Sequence, residues 1–550
     1  MKSITRKSID THLATLGMTG SDFRRRLDQL LTVDAARLGR LWSYYRNPMR
    51  AGSTTQDTAS PQYRQAQEWG LPRRIKGDDT TTDLPRREVV IENDIAWRLD
   101  ATVDFLFGKP IVLTSAAADE SRRATITQLL RAILANHGGL AFLQQLSLIG
   151  AVYGHVDVLV KLLPSDEPQP IASTQSTQNF GSKPTSERSD ESDSATQNSA
   201  PKPTEKPTPQ PAPQLDEDPS HPGAITPSPE AVARLARQVR LEIVEPARAL
   251  PVLSSIDFAV VEAYAQVYRI HKTHDVFRET ASDAPNASWF RKLFAARGLA
   301  ADNNDETTVI DLITPTRWMT FHNDRVVAQG NNTLGQIPLV HIQNVAIPFS
   351  YTGASDVEPL LPLQDELNTR LSDRAHRIAM QSFRMYLGKG IDGFTQHTVS
   401  PGRMWMSDDP DAQIIEFGGD GGCPSEDAHI RDLREALDKI SGVSPIAAGA
   451  IKGRIGRLTS AAALRVTMLS LLARTERKRA TYGAGIARLC ELALTWLDHA
   501  GLFKTSPDER RIELDWPNPI PLNELERLDE AKQKLEVGVP RDIVLKELGY

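Results

Sequence analysis

A long stretch without proline constrains this chain more than any other feature of its sequence. It lies between Pro445 and Pro507. Proline ends or kinks most helices, so its absence permits one helix over residues 459–500, with Thr or Ser as the N-cap. Such a helix of about 40 residues is about 60 Å long at about 1.5 Å per residue. Gly483 and Gly485 interrupt the helical pattern, and we expect a kink there.

Two shorter helices are predicted before the long one. The segment 356–384 carries leucines at helical spacing behind Pro362, and proline is accepted in the first turn of a helix. In 425–441, apolar residues recur at alternating spacings of three and four. Residues 385–424 between them contain short apolar runs separated by glycines, which predicts a small β element. The second half of the chain is therefore predicted to be mainly helical.

The first half, residues 1–355, has the pattern of an α+β region. Helical periodicity dominates its beginning, whereas alternating apolar residues predict strands at 258–271, 308–313 and 325–329. Residues 165–229 are rich in Ser, Thr, Pro and Gln and have too few large apolar side chains to form a core. We expect a disordered insert there, in the loop that joins two strands. The predicted fold class is α+β.

Charge and composition exclude several classes of protein. The net charge of −6 disfavours a protein that coats DNA through general basicity, so any nucleic-acid contact needs a local basic cluster. The two cysteines, Cys423 and Cys490, form no C-x-x-C pair, which argues against a disulfide framework and a cysteine-based zinc site. No apolar run is long enough for a membrane span. We expect no membrane association and a reducing, cytoplasmic setting.

The candidate functional residues lie in a glycine-spaced basic loop, AGAIKGRIGRLTSAAALR, that begins at residue 448. Its cations and glycines are Lys452, Arg454, Arg457, Gly449, Gly453 and Gly456. The first two of these glycines are one residue too close for a Walker A motif, and arginine follows where that motif has lysine. Three interpretations stay open from the residues alone: a phosphate-binding NTPase loop, a solvated connector, or a mobile loop that contacts a nucleic-acid backbone.

No catalytic motif indicates an enzyme. The sequence lacks G-x-S-x-G, H-E-x-x-H and G-x-G-x-x-G patterns. We expect no metal site, because His271 and His274 point to opposite faces of a predicted strand and the acidic run 407–411 is typical of a turn. The charged run 474–479 is interpreted as the solvated face of the long helix, with a partner chain or DNA as the alternative. No cofactor is expected.

The order of several segments resembles the portal proteins of tailed bacteriophages, in particular the siphophage type. LWSYYRNPM resembles an early Leu-x-x-Tyr-Tyr segment of that family, and NDIAWRLDATVDFLFGKPIVL resembles its helix that ends in Gly-Lys-Pro. IPLVHIQN followed by GASDVEPLLPLQDELNTRLSD is similar to the entry into the family's stem. TSAAALR and the helix after it are similar to the family's tunnel helix. The resemblance covers most of the chain outside the 165–229 insert.

The resemblance implies a portal fold with named parts. These are the wing 1–355, the first stem helix 356–384, the clip 385–424, the second stem helix 425–441, the tunnel loop 442–458, the long kinked helix 459–500, and a proline linker with a short crown in 501–550. It also implies a closed ring, usually of about twelve subunits, at one capsid vertex. Lys452, Arg454 and Arg457 would then encircle a DNA duplex, and Gly449, Gly453 and Gly456 would let the loop move.

The implied function is a channel for the packaging and ejection of double-stranded DNA. The implied partners are further copies of the chain in a dodecamer, double-stranded DNA read without sequence preference, the large terminase subunit, the major capsid and scaffolding proteins, and a head-tail adaptor. The protein would be part of the virion after assembly in the host cytoplasm. Because the family's ATPase belongs to the terminase, this chain is not expected to be an enzyme. Two alternatives are a DNA-dependent NTPase or nuclease that uses loop 448–458, and a capsid adaptor that does not bind DNA.

Overall fold

Helices and antiparallel sheets are mixed along the chain, which confirms the α+β class. The computed structural model describes residues 20–51, 63–72, 74–75, 84–85, 88–163, 228–254, 256–257, 260–271, 306–322, 325–381, 385–390, 410–417, 424–448, 466–520 and 524–548.

The described residues form eleven α-helices. They are α1 (Gly20–Gln29), α2 (Ala35–Arg46), α3 (Ala96–Phe107), α4 (Glu120–Asn136), α5 (Leu140–Tyr153), α6 (Pro229–Gln238), α7 (Leu361–Gln381), α8 (Pro424–Ser441), α9 (Leu469–His499), α10 (Glu524–Glu536) and α11 (Arg541–Leu548). Within these described parts of the chain, none of the helices has the length and apolarity needed to cross a bilayer.

The strands of the described residues form small antiparallel sheets. They are β1 (Met49–Ala51), β2 (Tyr63–Gln65), β3 (Arg74–Ile75), β4 (Leu84–Pro85), β5 (Val112–Ser115), β6 (His155–Leu162), β7 (Val239–Val244), β8 (Ala249–Leu253), β9 (Val261–His271), β10 (Glu306–Ile313), β11 (Arg317–His322), β12 (Arg325–Asn331), β13 (Leu339–Gln343), β14 (Met385–Lys389), β15 (Gln413–Phe417) and β16 (Ile512–Asp515). The two larger sheets have the orders β12-β11-β10-β9-β8 and β13-β6-β7, and the other strands pair as β1-β2, β3-β4, β5-β16 and β14-β15. Helix α1 packs on the five-stranded sheet through Phe23.

The largest hydrophobic core lies where α9 packs against α5 and the three-stranded sheet. Gly485 faces Ile342 of β13 so closely that a Cβ on the glycine would overlap the isoleucine side chain. A Cβ on Gly150 of α5 would likewise overlap the hydroxyl of Tyr482. Glycine is therefore required for close packing at both positions. Helix α9 is continuous through Gly483 and Gly485, and the kink predicted at these residues stays a prediction.

The helices of the second half lie close to their predicted positions. Helix α7 occupies most of the segment 356–384, α8 coincides with 425–441 apart from one added residue, and the β14-β15 pair lies between them. The long helix was predicted over 459–500. Val466 and Thr467 are helical, Met468 interrupts the helix with φ −102° and ψ 12°, and α9 continues from Leu469 to His499. Residues 459–465 lie outside the described residues.

The insert lies between two paired strands, as predicted. Strands β6 and β7 run antiparallel with Leu162 opposite Val239, and residues 164–227 between them are outside the described residues. The predicted end of the insert at residue 229 is wrong, because Ser228 caps α6 and Pro229 is its first residue. Strand β16, which pairs with β5, is a further element that the predicted proline linker did not include.

Candidate nucleic-acid interface

The residues predicted to contact DNA belong to residues 449–465, which lie outside the described residues. This applies to Lys452, Arg454, Arg457, Gly449, Gly453 and Gly456. The description stops after a 3-10 turn, Pro445–Ala448, and resumes at Val466. The structure therefore shows how the two ends of the basic loop are held.

Hydrogen bonds between α8 and α9 bring the two ends of the basic loop together. Helix α8 ends at Ser441, and Gly442 turns the chain with φ 71°, a left-handed conformation that favours glycine. The hydroxyl of Ser470 donates to the Gly442 carbonyl over 3.0 Å. Arg474 Nη1 donates to the Ser441 carbonyl over 2.8 Å. The chain thus leaves α8 and enters α9 at one fixed place.

A buried carboxylate, Asp356, connects this place to the remainder of the core. Its Oδ1 accepts hydrogen bonds from Arg474 Nη2 at 2.5 Å and from Asn344 Nδ2 at 3.0 Å, and its Oδ2 accepts one from Lys478 Nζ at 2.5 Å. Its backbone N–H donates to the carbonyl of Ala151 in α5. Asp356, which lies five residues before the start of α7, therefore links α5, α9 and, through Arg474, the end of α8. We call Asp356, Arg474 and Lys478 the junction.

The junction is a buried cluster of two cations and one anion. The side chain of Lys478 is 0% exposed, that of Asp356 7% and that of Arg474 17%. Burial by itself would raise the pKa of Asp356, but the charges of Lys478 and Arg474 hold this pKa below its ordinary value. Asp356 is therefore ionised, and its charge offsets the desolvation of the two cations.

The interpretation of the charged run 474–479 as a solvated face holds for Glu476 and Arg477, which are exposed, but is wrong for Lys478. Lys478 is fully buried and lies on the inward stripe of α9 between Leu471 and Tyr482, at spacings of seven and four residues. This periodicity is the signal from which its burial could have been inferred. Its partner Asp356 is 122 residues earlier in the chain, so no local pattern identifies the pair.

Arg98 of α3 fixes α8 from another side. Its guanidinium is 2% exposed and lies over the ring of Trp97 at 4.2 Å. Arg98 Nη1 donates to the Asp94 carbonyl over 2.5 Å, and Nη2 donates to Asp438 Oδ1 over 2.6 Å. Asp438 is in the last turn of α8, so this contact holds the helix end from which the basic loop departs.

A second buried polar cluster joins β6 to β13. Asp157, 1% exposed, accepts hydrogen bonds from Tyr264 Oη at 2.9 Å, Tyr351 Oη at 3.0 Å and His341 Nδ1 at 2.6 Å. His341 Nε2 faces the Tyr351 carbonyl at 2.8 Å, so both bonds of this ring are made when each nitrogen carries a proton. Burial would raise the pKa of Asp157, but the bond from His341 and the charges of His155 and His341 lower it. We call Asp157, His155, Tyr264, His341 and Tyr351 the Asp157 cluster. The sequence did not predict this cluster.

The contacts on either side of the basic loop hold the chain in place where it leaves α8 and enters α9. Both carboxylate oxygens of Asp356 are bonded to cations of α9, so one negative charge is shared by the two positive charges of the junction. Within the described ranges, no group of three His, Cys, Asp or Glu side chains is placed to hold a metal ion. These contacts therefore fix the places where the cationic basic loop starts and ends.

Comparison with known proteins finds a similar family for the second half of the chain. No curated protein matched the sequence. The family model described as phage portal protein, SPP1 Gp6-like, matches residues 289–549. The matched residues include α7, α8, α9 and the basic loop between α8 and α9. Residues 289–549, slightly less than half of the chain, are therefore similar to that tailed-phage portal protein family.

Proposed function

We propose that this chain is a portal subunit, that its copies form a closed ring at one vertex of a phage capsid, and that double-stranded DNA passes through the ring during packaging and ejection. The match of residues 289–549 to the portal family model supports a phage portal role and a place in the virion. The observation that carries the proposal to the level of residues is the joining of the loop ends by Ser470 and Arg474. In a cyclic assembly, such a fixed base repeats the loop cations around the axis.

The segments then acquire roles in the proposed ring. Residues 1–355 form the wing, 356–384 and 425–441 the stem helices, 385–424 the clip, 442–458 the tunnel loop, 459–500 the long helix, and 501–550 the linker and crown. We place terminase at the clip. The major capsid protein, scaffolding protein and head-tail adaptor are further partners. The chain itself is structural, because the ATPase that drives packaging belongs to the terminase.

Electrostatics suits a conduit for any DNA sequence. The net charge of −6 per chain keeps DNA from adhering to the body of the ring. Lys452, Arg454 and Arg457 supply local contacts to phosphates, which carry no sequence information. The cations of the junction do not contribute, because Asp356 pairs with both of them inside the core.

Electron microscopy of the purified full-length chain tests the ring. We expect class averages with cyclic symmetry and a central hole. The experiment is repeated with the capsid and scaffolding proteins of the same phage, because such partners can be required for assembly. Monomers or dimers under both conditions would overturn the proposed ring.

A charge-removal variant tests the loop. It combines Lys452→Ala, Arg454→Ala and Arg457→Ala. We expect these chains to assemble normally but to give several-fold fewer DNA-filled particles, because phosphate contacts in the channel are lost. The measurement is the packaged DNA per particle in a packaging assay.

A matched control removes the same charge elsewhere. It combines Arg25→Ala, Lys504→Ala and Arg511→Ala, whose side chains are 77%, 78% and 79% exposed. We expect packaging near the wild-type level from this control. Equal packaging by the loop variant and the control would show that the loop cations are not used.

A further inference from the structure

Strand β13 lies at the edge of its sheet, with β6 on one side. At its two ends, Pro338 accepts a hydrogen bond from β6 and Asn344 donates one to the residue just before β6, over 2.9 and 2.8 Å. Hydrogen-bonded pairs alternate along an antiparallel ladder, so Val340 and Ile342 make the bonds between these ends. The residues between them must direct their backbone groups away from β6.

The outward-facing residues of β13 are Leu339, His341 and Gln343. The Leu339 N–H is bonded to the Ile337 carbonyl over 2.8 Å. The N–H groups of His341 and Gln343 and the carbonyls of all three residues have no backbone partner among the described residues. Donors and acceptors in this alternation are what a further antiparallel or parallel strand bonds to.

A groove of about 530 Å³ follows this free edge. One wall is α9, where Ala484 and Gly485 line the groove and Arg488 stands further along the helix. The other wall is the segment 347–351, which is held over the sheet by hydrogen bonds from the side chain of Gln343 to the carbonyls of residues 350 and 351. The edge of β13 therefore forms the floor between these two walls.

We propose that this groove binds an extended peptide of a partner protein, which adds as a strand to β13. Ile347 and Phe349, 42% and 86% exposed, provide an apolar wall. Arg488, with a side chain 47% exposed, lines the groove, where it pairs with Glu491 at 2.7 Å and donates to Gln336 Oε1, and its guanidinium has further N–H donors for a second carboxylate. An apolar residue alternating with a carboxylate complements these walls. Phe349 has φ 62°, a left-handed conformation that residues other than glycine rarely adopt. Its exposed ring lies at the groove.

Selection from a displayed library of random heptapeptides on the full-length chain tests the proposal. We expect enriched peptides that alternate apolar and acidic residues. In hydrogen exchange, a synthetic copy of such a peptide should slow the amides of His341 and Gln343, which exchange fast in the free chain. The amides of Val340 and Ile342 should change little, because β6 already protects them.

Two variants of exposed alanines in α9 locate the binding site. Ala484→Arg fills the groove and should weaken peptide binding at least tenfold. Ala473→Arg, about 16 Å away along the same helix, should leave it within twofold. Because both alanines are exposed, neither change is expected to unfold the chain.

Three results would overturn the proposal. The first is a selection without enriched peptides. The second is enriched peptides that bind Ala484→Arg as well as wild type, or that leave the amides of His341 and Gln343 unchanged. The third is protection of these two amides in the free chain that disappears on dilution, since the occupant would then be a second copy of this chain.

Discussion

Two buried carboxylates, Asp356 and Asp157, perform similar structural tasks with different partners. Asp356 joins helices through Arg474 and Lys478, whereas Asp157 joins strands through tyrosine hydroxyls and His341. The pKa of each carboxyl is lowered, although burial alone would raise it. The difference lies in the source of the compensating charge. The ordinary pKa values of lysine and arginine lie above the physiological range and that of histidine lies within it, and the charge of Asp356 opposes the lowering of the Lys478 pKa by burial.

This difference distinguishes the junction from the sheet. In the junction, burial lowers the pKa of Lys478, and the charge of Asp356 acts against this shift. The sheet, next to the groove of β13, is held by groups that include two histidines. We therefore expect the junction to depend on Asp356 for the charge of Lys478, and the sheet to lose stability as the pH falls through the range in which histidine titrates.

The largest effect is expected from Asp356→Ala. It leaves two cations without a counter-charge in the core, and removal of one partner of a buried ion pair costs about 3–5 kcal/mol. The measurement is the free energy of unfolding from urea titration, followed by tryptophan fluorescence. The double variant Asp356→Ala/Lys478→Met should recover part of the loss. A loss below about 1 kcal/mol for the single variant would contradict a stabilising role of the junction.

A smaller effect is expected from Asp157→Asn. The substitution keeps the shape but removes the charge that accepts bonds from His341, Tyr264 and Tyr351, and hydrogen bonds to charged groups contribute about 1.5–3 kcal/mol. The same urea titration measures the loss. Tyr351→Phe, which removes one donor to this carboxylate, should cost about 1.5 kcal/mol, the lower end of that range. If Asp157→Asn is as damaging as Asp356→Ala, the proposed contrast between the two clusters fails.

The pH dependence sharpens the comparison. Burial lowers the pKa of His155 below its ordinary value of 6.5, and the charges of His341 and Arg37 act in the same direction against that of Asp157. As the pH falls below 6.5, the unfolded chain binds the proton first, so stability is lost toward the folded-state pKa. The loss is about 1.4 kcal/mol for each unit by which the two pKa values differ. Unfolding midpoints between pH 7.5 and 5 measure it.

Two variants separate the sources of this acid sensitivity. His155→Asn should remove part of the decline between pH 7 and 5, because the proton-binding group is gone. Asp356→Ala should make the decline in that range steeper than in wild type, because it removes the charge and the hydrogen bond that oppose the lowering of the Lys478 pKa by burial. A wild-type slope for Asp356→Ala would show that Lys478 keeps its proton without Asp356.

The smallest effect is expected from an exposed ion pair on α7. Glu366 and Arg370 are one helical turn apart, with side chains 38% and 40% exposed. Glu366→Gln should lower the free energy of unfolding by about 0.3–0.5 kcal/mol, as for other exposed pairs of this spacing. A loss above about 1 kcal/mol would show that the contribution of these ion pairs to stability does not decrease with their solvent exposure.

Periodicity in the sequence was sufficient for the elements that bury one continuous face. The stripes of α7 and α8 and the alternation of β9 and β10 located these elements to within a few residues. The predicted start of the long helix at residue 459 stays a prediction, because Val466 and Thr467 are helical before the interruption at Met468 and residues 459–465 lie outside the described residues. Strand β16 has four residues and pairs with β5 almost 400 residues earlier, so it carries no local signal.

The contacts that hold the basic loop were beyond sequence reasoning. The cations of the loop were identified from spacing and from the family resemblance, whereas Lys478 was assigned to solvent because lysine is rarely buried. The carboxylate that makes its burial tolerable approaches only in the folded chain. The free edge of β13 likewise depends on which alternate amides face β6, and this follows from register.

The pairing of β6 with β7 has a consequence for engineering. The strand ends Leu162 and Val239 are held opposite each other by the ladder, so the sheet itself sets the span of the connection. Closing a longer connection costs only about 0.6 kcal/mol for each doubling of its length. Residues 164–227 therefore mark a position where an affinity tag or a reporter domain can be exchanged for the natural segment while the junction and the groove stay in place.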